Sequence, residues 1–184
     1  MSAGTPILTT ERLVLRAFAH ADVANLVRFA GSDAVHATTL NIPHPYTEQH
    51  AIDWIATHQA ILAAGHGFVW AIAHGDTDEL VGTIDIRLRM VHKRAEIGYW
   101  IGPPHWGKGY ATEAVGAVLR YGFDELGLYR IYADHFAGND ASGRVLTKAG
   151  MLQEGTLRGQ FVKAGRHIDT VLYAIIQPDY ESPS

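Results

Sequence analysis

The residues of this chain that are best suited to chemistry form a glycine-rich segment, Trp106-Gly107-Lys108-Gly109-Tyr110-Ala111. A strand-like run, Ala95 to Ile101, precedes this segment, and a helix-like run, Thr112 to Leu126, follows it. Glycine lets a backbone approach a ligand closely, and the first amides of a helix have no partner within the helix, so together they can bind a phosphate. We therefore predict a pyrophosphate-binding loop at Gly107 to Ala111.

A second phosphate motif uses the same glycines. Residues Gly102 to Lys108 match the G-x-x-x-x-G-K start of a P-loop, but Gly109 stands where a Ser or Thr must hold magnesium. Two prolines, Pro103 and Pro104, would also stiffen a loop whose amides must surround a phosphate. A nucleotide-dependent phosphotransferase is therefore the weaker alternative, and a plain strand-to-helix turn would also explain the loop taken alone.

Composition limits the class of protein and the chemistry available to it. The 184 residues, 47% of them apolar, suit one globular domain over residues 1–184. The chain has no cysteine, which excludes disulfides, thiolate metal sites and a cysteine nucleophile. Eleven histidines occur without a His-x-His or His-Glu-x-x-His pattern, so we expect no metal site.

Charge and hydropathy indicate the compartment of the protein and the classes of partner that it does not bind. A net charge of -4 without a basic block argues against nucleic-acid binding. No apolar run reaches the roughly 18 to 20 residues that cross a bilayer, and Met1 to Thr10 lacks the layout of a signal peptide. We expect a cytoplasmic protein that binds neither nucleic acid nor a membrane.

The elements that must position the glycine loop follow from hydrophobic periodicity and from caps. In the first half of the chain these signals predict a strand at Leu13 to Phe18, a helix at Ala21 to Ala30, a loop at Gly31 to Tyr46, a helix from Thr47 to about Ala64, and strands at Phe68 to Ala73, Leu80 to Met90 and Arg94 to Ile101. The short links between the last three strands indicate an antiparallel meander.

The second half supplies the remaining helices and strands. The same signals predict a helix from Thr112 to Leu126, a strand at Arg130 to His135, a helix capped by Asn139 that ends at Gly150, and strands at about Met151 to Val162 and His167 to Ile176. Because a helix separates the strand before the glycine loop from the strand at Arg130 to His135, these two strands can run parallel. A crevice between parallel neighbours is the expected ligand site.

Taken together, several motifs resemble those of the GNAT superfamily of acyl-CoA N-acyltransferases. The similar segments are Glu96 to Ile101, Ala111 to Ala114, Asn139 to Ser142 and Lys148 to Met151. The family's acetyl-CoA motif, Gln/Arg-x-x-Gly-x-Gly/Ala, is matched by Trp106-x-x-Gly109-x-Ala111 except at its first position. The likeness covers nearly the whole chain and is greatest to the RimJ/RimL type, which acetylates the N-termini of ribosomal proteins.

The resemblance implies an α+β GNAT fold: a mixed, mostly antiparallel sheet of about seven strands with flanking helices and a splayed central parallel pair. Acetyl-CoA, as co-substrate, would lie in the gap of that pair with its thioester near Tyr99 to Ile101. The implied acetyl-CoA contacts are Tyr99, Trp100, Ile101, Trp106, Gly107, Lys108, Gly109, Tyr110, Ala111, Thr112, Asn139 and Ser142. Arg144 and Lys148 are added as cations for the CoA phosphates, with a solvated helix face as their ordinary alternative.

The resemblance also nominates two catalytic residues. Glu96 resembles the family's glutamate that helps to deprotonate the amine, and Ser142 resembles the serine that protonates the departing thiolate in Rim-type enzymes. Leu146 occupies the position of the tyrosine that many members use for that second step. Each candidate also has a structural alternative, because Glu96 could be a solvated strand carboxylate, and Ser142 and Asn139 suit a helix start.

The acceptor amine would enter over the Gly31 to Tyr46 loop and the hairpin around Lys163 to Arg166, where Asn41, Tyr46 and Phe161 are its expected neighbours. An α-amino group, with a pKa of about 8, is already partly neutral at pH 7, whereas a lysine at about 10.4 needs far more help. A peptide or protein N-terminus, such as that of a ribosomal protein, is therefore the expected acceptor. A small amine (a polyamine, an amino acid or an antibiotic) and a non-catalytic CoA-binding sensor stay open as alternatives, as do a monomer and a homodimer.

Overall fold

The fold was described from a computed structural model, which describes residues 4–180. In chain order its strands are β1 (Leu8–Thr9), β2 (Leu13–Arg16), β3 (Gly67–His74), β4 (Leu80–Arg89), β5 (Arg94–Ile101), β6 (Arg130–Phe136), β7 (Leu152–Lys163) and β8 (Arg166–Ile176). They form one sheet in the order β1-β2-β3-β4-β5-β6-β8-β7. Within this sheet β5 and β6 run parallel and every other neighbouring pair runs antiparallel. The predicted mixed, mostly antiparallel α+β sheet is confirmed.

Helices cover both faces of this sheet. They are α1 (Val23–Ala30), α2 (Asp33–Thr38), α3 (Glu48–Ala63), α4 (Tyr110–Arg120) and α5 (Asp140–Lys148). Adjacent residues of β3 divide between the two faces: Trp70 belongs to the main core with α4, and Ala71 packs with α1 and α3. The helix after the glycine loop continues from α4 through a π-helical turn at Tyr121–Glu125, and Gly127 follows in the left-handed region with φ +61°.

Two parts of the sequence prediction differ from the structure. Residues Gly31 to Tyr46 are not all loop, because α2 forms within them. The side-chain oxygen of Ser32 caps α2 by accepting from the Val35 amide at 3.4 Å, and Val35 is only 1% exposed. One buried position in a six-residue helix leaves no periodicity to detect. The sheet has eight strands because the two residues of β1 pair with β2, a length too short to show alternation.

The parallel pair opens along its length, as predicted. β5 and β6 are paired only from Arg94 with Arg130 to Glu96 with Tyr132. Beyond Glu96, β5 keeps its partner β4 and β6 keeps its partner β8, but the two strands separate from each other. We call this gap, between residues 97–101 of β5 and 133–136 of β6, the β5–β6 opening. It places free backbone edges beside the start of α4.

Candidate functional site

The glycine loop bends so that helix α4 begins beside the β5–β6 opening. Gly107 has φ +74° and Gly109 has φ +82°, a region that side-chain-bearing residues rarely adopt. Gly109 is the N-cap of α4 and offers no side chain to the first amides of the helix. Those amides and the positive end of the helix dipole are therefore available to an anion.

Trp106 and Arg12 fix the two flanks of the loop. The indole Nε1 of Trp106 donates to the Ile101 carbonyl at 2.5 Å, which ties the loop to the end of β5. The Arg12 guanidinium donates to the Lys108 carbonyl at 2.9 Å and forms an ion pair with Glu113 at 2.6 Å. The carbonyl of Lys108 is thereby held toward Arg12. The sequence analysis overlooked Arg12, which lies some hundred residues before its partner.

Glu113 is held from several directions at the start of α4. It accepts hydrogen bonds from the Thr10 hydroxyl at 2.6 Å and the Arg12 amide at 2.8 Å. Burial raises the pKa of Glu113, but these hydrogen bonds and the Arg12 guanidinium outweigh burial and bring the pKa below its ordinary value. Glu113 therefore complements the helix dipole and also joins the β1–β2 turn to the loop.

A cleft of about 540 Å³ follows the opening from the glycine loop to α2. It brings together most of the predicted acetyl-CoA residues: Tyr99, Trp100, Ile101, Trp106, Gly107, Gly109, Tyr110, Ala111, Thr112, Asn139, Ser142, Arg144 and Lys148. Lys108 lies outside this lining. The sequence analysis overlooked Val35 and Thr38 on α2, Gly98 on β5 and Asp134 on β6, which also line the cleft.

Two hydroxyl groups at the cleft, one from α5 and one from β5, lie within hydrogen-bond distance of each other. Asn139 is the N-cap of α5, and its side-chain oxygen accepts from the Ser142 amide at 3.4 Å. The hydroxyl of Ser142 lies 2.8 Å from the hydroxyl of Tyr99, which reaches across from β5. Burial raises the pKa of Tyr99 to about 12, so its phenol stays protonated at neutral pH. Leu146 on α5 is fully buried in the core and carries no hydroxyl. The tyrosine hydroxyl next to Ser142 is therefore that of Tyr99 on β5.

Two carboxylates share one arginine on the sheet face that lies toward α1 and α3. Arg87 Nη2 lies 2.8 Å from Glu96 Oε1, and Arg87 Nε lies 3.5 Å from Asp85 Oδ1. The Tyr132 hydroxyl donates to the other oxygen of Glu96 at 3.4 Å. Asp85 stands opposite Gly98 in the β4–β5 ladder. The sequence analysis nominated Glu96 and overlooked Asp85, because no local motif links position 85 to the glycine loop.

The far end of the cleft is bounded by α2 and by the β7–β8 hairpin. The Lys163 ammonium on this hairpin donates to the backbone carbonyls of His36 and Thr39, which ties the hairpin to α2. The predicted acceptor residues lie around this end without lining the cleft: Asn41 is exposed, Phe161 is half-buried on β7, and Tyr46 packs on the α1–α3 cluster.

Within residues 4–180, no three His, Asp or Glu side chains are grouped so that they could hold a metal ion. No helix in that range is long and apolar enough to span a bilayer.

A family model described as the acetyltransferase (GNAT) domain matches residues 12–152. Among curated proteins, the uncharacterised N-acetyltransferase YoaA of Bacillus subtilis is 40% identical over 174 residues, 94% of this chain and 98% of its own. The candidate ribosomal N-acetyltransferase YdaF of B. subtilis is 37% identical over 103 residues, 55% of this chain and 56% of its own. A spermidine N(1)-acetyltransferase of Escherichia coli is 32% identical over 103 residues, 55% of both chains.

Solved structures agree with the fold. A GNAT-family acetyltransferase from Bacillus anthracis superposes with a TM-score of 0.84 at 26% identity, covering 94% of this chain and 99% of that one. RimL, an α-N-protein acetyltransferase of a ribosomal protein solved in complex with coenzyme A, gives a TM-score of 0.83 at 19% identity, with 93% and 98% covered. At 19% identity the match to RimL shows a shared fold only.

Proposed function

Because the chain belongs to the GNAT acetyltransferase family, we propose that it transfers the acetyl group of acetyl-CoA directly to the N-terminal α-amino group of a peptide or protein. Membership of the family, together with relatives named as N-acetyltransferases, makes the chain an acetyl-CoA-dependent N-acyltransferase. The proposal concerns its acceptor and the residues that carry the reaction. It rests on the cleft that joins the glycine loop to α2 through the β5–β6 opening.

In this proposal acetyl-CoA enters from the glycine loop. Its pyrophosphate binds the amides that follow Gly107, and the cations of Arg144 and Lys148 on α5 face its phosphates. The acyl-pantetheine arm lies along the free edge of β5 and pairs with backbone groups that β6 has left unpartnered. The thioester then comes to lie near Tyr99, next to the Ser142 hydroxyl.

The reaction needs one group to accept a proton and another to donate one. An acceptor ammonium first gives up a proton, and we assign this proton to one carboxylate of the pair that Arg87 holds, Glu96 and Asp85. The neutral amine attacks the thioester carbonyl carbon, the carbon–sulfur bond breaks, and an amide forms as the nitrogen loses its second proton, which restores the proton that Ser142 gives up. Ser142, hydrogen-bonded to the protonated Tyr99, donates a proton to the departing CoA thiolate.

An α-amino group is the acceptor that this site serves best. Its pKa of about 8 leaves part of it neutral at pH 7, so a modest base is sufficient. The outer end of the cleft is bounded by α2 and the β7–β8 hairpin, where Asn41, Tyr46 and Phe161 are proposed to contact the chain behind the amine. The similarity to YdaF, a candidate ribosomal N-acetyltransferase, supports a ribosomal-protein N-terminus and hence a cytoplasmic enzyme.

A small polyamine is the second candidate acceptor. The spermidine N(1)-acetyltransferase matches a stretch of 103 residues at 32% identity, close to the 37% of YdaF over the same length. The carboxylates of Asp85, Glu96 and Asp134 would attract a polycation as they would an ammonium terminus.

Calorimetry followed by an acceptor panel tests the proposal. We expect saturable binding of acetyl-CoA and no heat with ATP plus magnesium. Mass spectrometry should then find acetylation of peptides with a free N-terminus and none of the same peptides blocked at the N-terminus. Acetylation of spermidine alone would favour the second candidate. Acetyl-CoA binding with no product on any amine would indicate a CoA sensor, and binding of ATP alone would overturn the proposal.

A further inference from the structure

Asp85 occupies an unusual position beside the β5–β6 opening. It points from β4 toward Gly98 on β5, and its Oδ2 lies 3.1 Å from the place where a Cβ on Gly98 would stand. A side chain at Gly98 would therefore crowd this carboxylate and also Arg87 Nη2, which lies 3.2 Å from the same place. Gly98 itself lines the cleft, so its missing side chain leaves Asp85 behind the cleft wall, next to a lining residue.

The two carboxylates near the opening are held differently. Both oxygens of Glu96 have partners, Arg87 at 2.8 Å and the Tyr132 hydroxyl at 3.4 Å. Oδ1 of Asp85 is fully buried and has no hydrogen-bond partner among residues 4–180; its nearest cation is Arg87 Nε at 3.5 Å. Both oxygens of Glu96 are therefore occupied, whereas Asp85 keeps an oxygen without a hydrogen-bond partner.

Strand β6, on the other side of the β5–β6 opening, adds a negative charge. Asp134 lies two residues beyond Tyr132 on β6 and so on the same face of the sheet. Since Tyr132 is paired with Glu96, Asp134 is level with Gly98 where the strands have separated. It lines the cleft, and its side chain has no ion pair or hydrogen bond within the part of the chain that the structure describes. An ammonium that enters here meets carboxylates on both sides.

The proton affinity of Asp85 suits the task. Burial raises the pKa of Asp85 to about 6, with Arg87 lowering it and Glu96 raising it. Arg87 on its own strand and Glu96 on β5 are the charged groups that act on it; from β3, its partner in the ladder is the apolar Val69. At neutral pH the carboxylate is mostly ionised, yet it binds a proton more strongly than an ordinary aspartate, which favours general-base catalysis.

We propose that Asp85 is the general base of the reaction and takes the proton of the acceptor ammonium directly or through one water. In the complete cycle this proton passes from Asp85 to solvent, and the second amine proton is lost as the carbon–sulfur bond breaks and CoA leaves as the thiol. Glu96 and Arg87 act as positioning residues that set the charge around Asp85. This assignment rests on the proposed function.

The test compares Asp85→Asn, Glu96→Gln and Arg87→Met with the wild type. The value of kcat/KM is measured from pH 5 to 9 with acetyl-CoA and, as acceptors, a hexapeptide with a free N-terminus and spermidine. In the wild type we expect kcat/KM to rise with pH near pH 6, and we call this part of the profile the rising limb. It should lie at the same pH with both acceptors, because it reports a group of the enzyme and the two amines differ in pKa. Asp85→Asn should lower kcat about 100-fold and remove the limb.

The other two variants should move the limb in opposite directions. Glu96→Gln removes a like charge, so the pKa of Asp85 falls and the limb shifts to lower pH. Arg87→Met removes the cation, so the limb shifts to higher pH. A role of Asp85 in folding alone would move neither limb, and the acetyl-CoA affinity and Tm of each variant show whether it has folded.

A failure of the Asp85 assignment can be distinguished from a failure of the proposed function. A limb that persists in Asp85→Asn, or one that disappears in Glu96→Gln, would overturn the assignment and return the role to Glu96, while the enzyme stays an amine acetyltransferase. A wild-type protein that acetylates neither acceptor would remove the proposed acceptors and the base together.

Discussion

The two ends of the cleft are built by different means. At the cofactor end, contiguous backbone makes the site: Gly107 and Gly109 turn the chain and α4 begins at once. At the end proposed for the acceptor, the side chains come from distant elements: Asp134 on β6, Asp85 on β4 and Lys163 on the β7–β8 hairpin. A backbone site tolerates almost any side chain but few changes of conformation. A side-chain site has the opposite sensitivity, so the two ends should respond differently to substitution.

The largest effect should come where the two ends meet. The double variant Tyr99→Phe with Ser142→Ala removes both hydroxyls of the pair and leaves the thiolate without a proton donor. We expect kcat to fall about 100-fold, the lower range for loss of a general acid, while the Kd for acetyl-CoA changes little. Steady-state rates at saturating acetyl-CoA measure the first quantity, and calorimetry measures the second.

The single variants sharpen this result. Because the two hydroxyls lie 2.8 Å apart, either one is placed to replace the other in part. The logarithm of the fold-decrease in kcat for each single variant should therefore be less than half of that for the double variant. A double variant with wild-type kcat would remove both residues from the mechanism and leave Ser142 as a helix-start residue.

A side chain at Gly109 should break the cofactor end alone. A β-branched residue at φ +82° costs about 2 kcal/mol of backbone strain. Its Cβ would also stand 3.3 Å from Arg12 Nη2, which pairs with Glu113, on the guanidinium whose Nη1 holds the Lys108 carbonyl. If the loop relaxes, Gly109→Val should raise the Kd for acetyl-CoA about 30-fold. The KM for the acceptor should change little.

The same helix offers a matched glycine. Gly116 lies inside α4 in open space and without a left-handed φ. Gly116→Ala should stabilise the helix by about 1 kcal/mol and leave the Kd for acetyl-CoA unchanged. Equal losses of affinity in the two variants would show that the loop geometry is not what binds the cofactor.

The contrast between the two ends also explains what the sequence could reveal. The glycine loop, the parallel pair and the Asn139 cap are set by neighbouring residues, so spacing and motif predicted them. Helix α2 was overlooked because its stability comes from the burial of Val35 against the rest of the fold. Arg12 and Asp85 were overlooked because each acquires its role from a partner on another strand or helix. Which carboxylate faces the opening depends on the register of β4 with β5, and no local pattern encodes that register.

Releasing Lys163 should affect the acceptor end alone. Its ammonium ties the β7–β8 hairpin to α2 through the carbonyls of His36 and Thr39. A hydrogen bond from a charged group contributes about 1.5 to 3 kcal/mol in a buried setting and less where water competes. We expect Lys163→Met to raise the KM for a peptide about fivefold without changing the Kd for acetyl-CoA.

Arg166 provides the control for charge. It is exposed at the turn of the same hairpin, so Arg166→Met removes one positive charge without cutting the tie to α2. If both variants raise the KM equally, the charge of the hairpin matters and the tie does not.

The smallest effect should be a pH dependence of stability at the cofactor end. The pKa of Glu113 is lowered in the folded protein, so its contribution to stability is complete above its unfolded pKa of about 4.3 and is lost as pH falls through the lower folded value. The Tm of Glu113→Gln should therefore lie below that of the wild type at pH 7, and the difference should shrink toward pH 3. Glu48, an exposed glutamate in the first turn of α3, is the matched position. Glu48→Gln should show a smaller difference, because among residues 4–180 no arginine pairs with Glu48 as Arg12 pairs with Glu113. A difference for Glu113→Gln that stays constant with pH would mean that glutamine fits this position less well for reasons other than charge. The cofactor end would then depend on shape more than on charge.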